Sequence, residues 1–346
     1  MHGSARALAQ LGIVLLAALA LLSLLLVATG HAVGPALTAL VRGAFGSSYA
    51  ITSATIVRMI PLGFAGLAVS LAFRAGMLNI GAEGQLLMGA AAAAALAVPL
   101  ASAPAAVGIP LLLTGGAVAG AAWAAVAALL RLRFGVLEVI STIMLNFVAQ
   151  YLTGWLVRGP LQEPTRVNPQ SASLASALQL PVLLEGTRLH VGVLLLLLAF
   201  ATWWWLSQTA SGFRVRAVGM NEAAARSAGD VAVGRTIAGA FVLSGLLAGL
   251  GGAVEYTGIT YALYENFSPG YGYTAIAVAL LARLHPVGVL GTALLFGALE
   301  AGANAMQRDA GVPSVVVSVV EAVLILLIVG ADRWSGRLSA RAEAAT

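Results

Sequence analysis

From Leu86 to Leu130 the chain runs 45 residues without a charge. A helix crosses the roughly 30 Å hydrocarbon core of a bilayer with about 20 residues. The run is therefore long enough for two spans. Pro99, Pro104 and Gly108 near its middle mark the turn between them, which predicts spans over 79–99 and 107–130. Further apolar stretches cover 11–29, 51–73, 139–157, 190–207, 236–254, 270–283, 286–305 and 313–330. The reading is an all-α polytopic membrane protein of about ten transmembrane helices, a single transmembrane domain over 1–346. Stretch 270–283 is short enough to be a half-helix. Charged residues are only 9% of the chain, against about 25% in a soluble domain, and hydrophobic residues reach 60%. So few charges cannot cover a soluble surface of this size.

Basic residues set the orientation, because short cytoplasmic loops collect them. With the N-terminus inside and ten alternating spans, Arg6, Arg74, Arg131, Arg133, Arg214, Arg216, Arg226, Arg235, Arg283, Arg333, Arg337 and Arg341 fall inside. Arg42, Arg158, Arg166, Arg188 and Arg308 fall outside. Both termini are then cytoplasmic. Trp203, Trp204 and Trp205 close the sixth span, where an interfacial belt is expected. The run after Arg6 reads as a first span and not a cleaved signal, since it is long and more spans follow. Two polar loops remain, 158–189 outside and 208–235 inside. Neither has room for a catalytic domain.

The missing chemistry narrows the function. There is no Cys, and all 18 basic residues are Arg. Without Lys there is no phosphate-binding Walker loop, so this chain does not hydrolyse ATP by itself. His2, His31, His190 and His285 lie at predicted ends or loops, as do Asp230, Asp309 and Asp332. No metal site, cofactor or catalytic constellation is expected. The arginines are too scattered to track a nucleic acid backbone.

Polar residues inside spans are costly and need a reason. Arg58, Glu83, Glu138, Glu300 and Glu321 qualify, with the amides Asn79, Gln85, Asn146, Gln150 and Asn304. Glu138 and Glu321 lie near predicted ends and can reach the interface. Arg58 can pair with a Glu on a neighbouring span. The segment Asn79-Ile80-Gly81-Ala82-Glu83-Gly84-Gln85 differs. Asn79 and Glu83 have i, i+4 spacing and would share a helical face. Gly81 and Gly84 permit close backbone approach or a break in the helix, and transporters expose backbone at such breaks. Asn79, Glu83, Gln85, Asn146, Glu300 and Asn304 thus form a candidate polar path. The G-x-x-x-G pairs Gly116/Gly120 and Gly245/Gly249 read as tight helix packing.

In the internal loop, Phe213 to Asp230 reads FRVRAVGMNEAAARSAGD. Asn221 can cap a short helix, Glu222 suits its first turn and Gly229 its stop. Ala223 and Ala224 begin a smooth face. By residues alone this is an amphipathic linker or a docking helix.

That loop resembles the coupling loop of ABC importer permeases of the ribose, branched-chain amino acid and nucleoside type. LNIGAEGQLLMGA (78–90), EVISTIMLNFVAQYL (138–152) and FSPGYGYTAIAVALLARLHPVGVLGTALLFGALEAGAN (267–304) resemble further segments of the same family, in the expected order. The N-I-G-A-E-G-Q and M-L-N forms are similar to the nucleoside permeases. Asp230 departs from the family, which usually has an apolar residue there.

The resemblance implies a bacterial plasma-membrane permease subunit for nucleoside import by alternating access. Its implied partners are a cytoplasmic ABC ATPase, a second related permease chain and an extracytoplasmic substrate-binding lipoprotein, within membrane lipids. Gly219, Asn221, Glu222, Ala223, Ala224, Arg226 and Gly229 would contact the ATPase. Phe64, Phe147 and Tyr273 would stack on a base along the path. Simple sugars are the alternative substrate. By composition and spans alone the chain could also be an ion-coupled secondary transporter using Glu83 and Glu300, or a structural membrane protein.

Overall fold

The computed structural model describes residues 12, 16–17, 19–229, 231–313, 315–316, 318–319 and 322–323. It is helical, with no strand among the described residues and only isolated bridges in the long loop and beside it. Glu321, Asp230 and most of stretch 313–330 lie outside the described residues. The chain divides into two compact units, 1–55 with 298–346, and 56–297.

The first unit holds α1 (Leu19–Ala28), α2 (Val33–Phe45) and a π-helical turn, Ala50–Thr55. Helix α2 occupies a stretch that hydropathy assigns to an external loop. It has 13 residues and carries Arg42 in its last turn. A charge that close to the end of so short a run hides the helix from a hydropathy reading. The distal part of α12 (Pro286–Ala310) also belongs to this unit. Gly43 faces Ala301 and Ala305 there, and Gly302 faces Leu40, each too closely for a Cβ.

In the second unit, α3 (Ile56–Arg74), α4 (Ala82–Ala97), α5 (Ala105–Phe134) and α6 (Glu138–Arg158) follow in turn. The long external loop leads through a 3-10 segment, Val191–Leu197, into α7 (Leu198–Gln208). Then come α8 (Ala210–Met220), α9 (Glu222–Ser227), α10 (Val233–Glu255), α11 (Tyr271–Leu281) and the proximal part of α12. Among the described residues, six helical segments are long and apolar enough to cross a membrane, and four shorter apolar helices include α4 and α11. The architecture is thus polytopic and all-α, and the apolar helices described between 50 and 310 match the predicted stretches to within a few residues at their ends.

Small residues set the packing. The carbonyl of Gly249 lies against Gly89, and Gly120 contacts both Gly245 and Gly249. Helices α4, α5 and α10 therefore touch backbone to backbone, where a Cβ would overlap the facing chain. The spacing of Gly116, Gly120, Gly245 and Gly249 anticipates this seam. At the outer loop, His190 accepts from the Gly192 N–H through Nδ1 at 3.2 Å. Its ring fills the space beside Gly192 and Gly258, pinning the loop to the π-helical extension of α10, Tyr256–Thr260.

Two helices start in the interior. After α3, residues 75–81 leave helical geometry, and α4 begins at Ala82. After Tyr261, residues 262–270 run irregularly, and α11 begins at Tyr271. At 1.5 Å per residue the 11-residue α11 spans about 16 Å, half a hydrocarbon core. Helix α4 packs on α10, and α11 packs on α3. The two helices begin against each other and run to opposite ends. Leu284, just past α11, accepts through its carbonyl from Ser70 and Arg74, in the last two turns of α3. Ala94 and Ala97 of α4 lie by Tyr256 and the external loop.

The glycine seam gives a direct test. Gly249→Val should lower stability by about 1–3 kcal/mol through overpacking, read as a fall in the melting temperature of the detergent-purified protein. An unchanged transition would mean that α5 and α10 do not approach this closely.

Candidate functional site

The two helix starts meet at Glu83. The Gly272 N–H, in the first turn of α11, donates to its Oε2 at 2.6 Å, and the Ser268 side chain bonds the same carboxylate. Glu83 itself sits in the first turn of α4. Each helix N-terminus carries unpaired N–H groups and a partial positive charge. One carboxylate therefore answers two positive ends. Gly272 is required at this point, since a Cβ would overlap the Glu83 backbone.

Other donors at these ends are satisfied by side chains. Ser268 Oγ accepts from the N–H of Gly270 at 3.2 Å and of Tyr271 at 3.1 Å, capping α11. Asn79 Oδ1 accepts from the Gly81 N–H at 2.9 Å. Asn146 Oδ1, on α6, accepts from the Gly84 N–H at 2.9 Å. Its Nδ2 donates to the Ile80 carbonyl at 2.8 Å and to the Tyr273 hydroxyl at 3.3 Å. Asn146 thus ties α6 to the starts of both α4 and α11.

Asn79 and Glu83 do not share a helical face, contrary to the i, i+4 expectation, because the helix starts only at Ala82. Asn79 instead turns inward. Its Nδ2 donates to Gln85 Oε1 at 3.0 Å and to Ser244 Oγ at 2.9 Å, and Ser244 donates on to the Ala68 carbonyl at 2.6 Å. Asn79 and Gln85 are 0% and 1% exposed. They brace the break from behind.

Glu83, Asn146 and Tyr273 line a cavity of about 260 Å³, with Gln150, Glu265 and Phe267. A second hollow shares Gln150 and Glu265 with it and is walled by Phe147, Tyr151 and Trp155 of α6. Tyr151 is 77% exposed there. An ion pair between Arg158 and Glu265, at 2.6 Å, stands beside it. This arrangement offers a carboxylate and amides next to aromatic faces, a setting for an uncharged solute with hydroxyls and a flat apolar part. Among the described residues no group of His, Asp and Glu is placed to hold a metal.

Not every predicted path residue reaches the cavity. Phe64 is fully buried in a cluster with Ile60, Leu180, Leu196 and Val254. Aromatic type alone does not distinguish it from core. Glu300 and Asn304 lie on the part of α12 in the other unit, where Asn304 Nδ2 donates to the Glu300 carbonyl at 2.9 Å. Ser268, Glu265 and Ser244 belong to the site or its support although sequence reasoning does not single them out. Ser268-Pro269-Gly270 is a turn signal that points to the start of α11.

The internal loop forms α8 and α9. Asn221 caps α9, accepting from the Ala224 N–H at 3.0 Å, and Gly229 has φ +79°. Glu222 bonds Arg226 at 2.8 Å, one turn along. Ala223 and Ala224 are both exposed on the short helix. Gly219 packs its backbone against Arg74 and Gly76.

Residues 51–329 match the family described as branched-chain amino acid transport system / permease component. The guanosine ABC transporter permease protein NupP of Bacillus subtilis is 39% identical over 88% of each chain. The glucose ABC transporter permease protein of Haloferax volcanii is 40% identical over 83% of this chain and 77% of its own. The guanosine ABC transporter permease protein NupQ of Bacillus subtilis is 29% identical over 71% of this chain and 79% of its own. No solved structure matches the chain.

The carboxylate is the point to probe. Glu83→Gln keeps an acceptor for the Gly272 N–H and is expected to retain partial transport. Loss of one hydrogen bond costs about 0.5–1.5 kcal/mol, a few-fold in rate. Glu83→Leu leaves the Gly272 N–H without its acceptor and should abolish transport while the subunit still inserts. Uptake normalised to the amount of assembled complex measures the difference. Normal uptake by the Leu variant would move the path elsewhere. Failure of both variants to assemble would make Glu83 a purely structural residue.

Proposed function

The chain belongs to the branched-chain amino acid transport system permease family, and we propose that it carries nucleosides inward through the cavity at Glu83. It is a multi-pass plasma-membrane transport subunit and not an enzyme. The observation that carries the nucleoside reading is the pairing of polar and aromatic walls in one place. Glu83, Asn146 and Gln150 suit ribose hydroxyls, and the rings of Tyr273 and Phe267 suit the base. Phe147 would guide the base through the adjoining hollow. The guanosine relatives support this reading. Import of a simple sugar is the second reading, favoured by the glucose relative and by the hydroxyl-binding half of the same cavity.

Transport requires ATP from another chain. Helix α9, with Gly219, Asn221, Glu222, Ala223, Ala224, Arg226 and Gly229 in and around it, is proposed to dock on a cytoplasmic ABC ATPase. A second permease chain completes the pathway, as the two guanosine permease proteins of one Bacillus suggest. A substrate-binding lipoprotein delivers solute from outside.

Ten spans with both termini cytoplasmic is the proposed topology. Arg74, Arg131, Glu222 and α9 gather at one end of the second unit. The external loop gathers at the other, where Leu174 N–H donates to the Tyr261 carbonyl and Leu180 N–H to that of Thr257. Between Tyr261 and Leu284 the chain passes from one end to the other, half irregular and half helix. That keeps the parity of the spans. A single Cys at Gln170 should label from outside, and one at Ala224 only after permeabilisation. The reverse pattern would overturn this topology.

The substrate class is tested by uptake into proteoliposomes holding the complete importer. Labelled guanosine should accumulate only with internal ATP and should survive a proton uncoupler. Excess adenosine or inosine should compete, and glucose should not. Competition by glucose alone would establish the sugar reading, and sensitivity to the uncoupler would favour ion coupling.

A further inference from the structure

The loop between α3 and α4 carries the helix break, and the internal loop touches it by two routes. One is direct. Gly219 lies so close to the Arg74 carbonyl and the Gly76 backbone that a Cβ would overlap. The other runs through charges. Glu222 Oε2, on α9, meets Arg131 Nη2 at 3.4 Å. Arg131 Nη1 meets Glu138 Oε2 at 2.7 Å. The other oxygen of Glu138 accepts from the Leu78 N–H at 3.4 Å. Leu78 directly precedes Asn79, whose side chain holds Gly81 and Gln85 at the start of α4.

We propose that Arg131 and Glu138 are positioning residues, which carry displacement of α9 through Leu78 to the helix break and so to the cavity beside Glu83. The proposal rests on the reading of α9 as the ATPase-docking helix. Three features support it. The half-exposed Glu222 end of this chain adds little stability, so stability alone does not explain one arginine set between two carboxylates from different elements. A guanidinium is a rigid fork, and here each prong holds one carboxylate, so movement of Glu222 changes the geometry at Glu138. Residues 75–81 have no helical ladder of their own. Short backbone turns and side-chain bonds from Asn79, Asn146 and Glu138 hold them in place, so their position follows those side chains. A shift at Leu78 moves Asn79 and Ile80 and alters how Gly81 and Gly84 present the first turn of α4.

A double-mutant cycle separates this role from a structural one. Arg131→Gln, Glu138→Gln and the pair are compared in the assembled importer by nucleoside moved per ATP hydrolysed. A purely structural role lowers both quantities together with the amount of folded complex and leaves their ratio unchanged. Relay through these residues lowers the ratio about 2- to 30-fold in each single variant, the range for residues along a coupling network. The pair then does no worse than the weaker single variant. Arg131→Lys keeps the charge but loses the fork and should fall between wild type and Arg131→Gln. Unchanged ratios, or losses that multiply in the pair, overturn the relay. If Glu138→Gln does not assemble, the cycle of Arg131→Gln with Glu222→Gln tests the same chain from its exposed end, with the same non-additivity required. A wild-type importer that hydrolyses ATP without moving nucleoside overturns the functional reading and the relay with it. A coupled wild type with unaffected variants overturns the relay alone.

Discussion

One carboxylate between two helix ends organises the interior. Glu83 sits where burial of a charge is most costly, in the first turn of α4 and against the first turn of α11. The Gly272 N–H, the Ser268 side chain and the positive ends of the two helices offset that cost. The arrangement demands that both helices stop short, and it leaves irregular chain over 75–81 and 262–270. Irregular backbone inside a membrane is tolerated only where it is buried in protein or lines a cavity. Here both apply: Asn79 and Asn146 satisfy one stretch, and the other lines the hollow through Ser268.

Around this soft centre the frame is rigid. Glycines let α4, α5 and α10 approach backbone to backbone, leaving little side-chain freedom between them. The break on α4 thus has close-packed helices behind it and, before it, a segment held by turns and side chains without a helical ladder. An alternating-access carrier needs that contrast, because the frame gives the mobile segment something to move against. Helices α4 and α11 start together at this site and run to opposite ends of the second unit.

Local features of the sequence predict local structure well. Asn221 and Gly229 bound α9, Pro99 and Pro104 lie between α4 and α5 although Gly108 falls inside α5, and the glycines of 79–85 mark a break. What stays hidden depends on partners far along the chain. The contact from Glu83 to Gly272 joins residues separated by 189 positions, and that from Asn79 to Ser244 by 165. No periodicity encodes either. Arg131 reads as a topology charge because its two acidic partners meet it only in the fold. Phe64 has the residue type of a stacking platform but the surroundings of a core. Glu255, 5% exposed at the end of α10, falls just beyond the span boundary drawn from hydropathy.

The central claim is that solute passes the cavity formed where the two half-helices meet. Gln150 lines that cavity without holding either helix start, and the chain has no native cysteine. A Gln150→Cys reporter in the assembled importer can therefore be followed with a small aqueous thiol reagent. Guanosine, delivered by the binding lipoprotein, should slow its modification several-fold, while glucose leaves the rate unchanged. Equal modification rates with and without guanosine, in an importer that still transports it, would contradict the account.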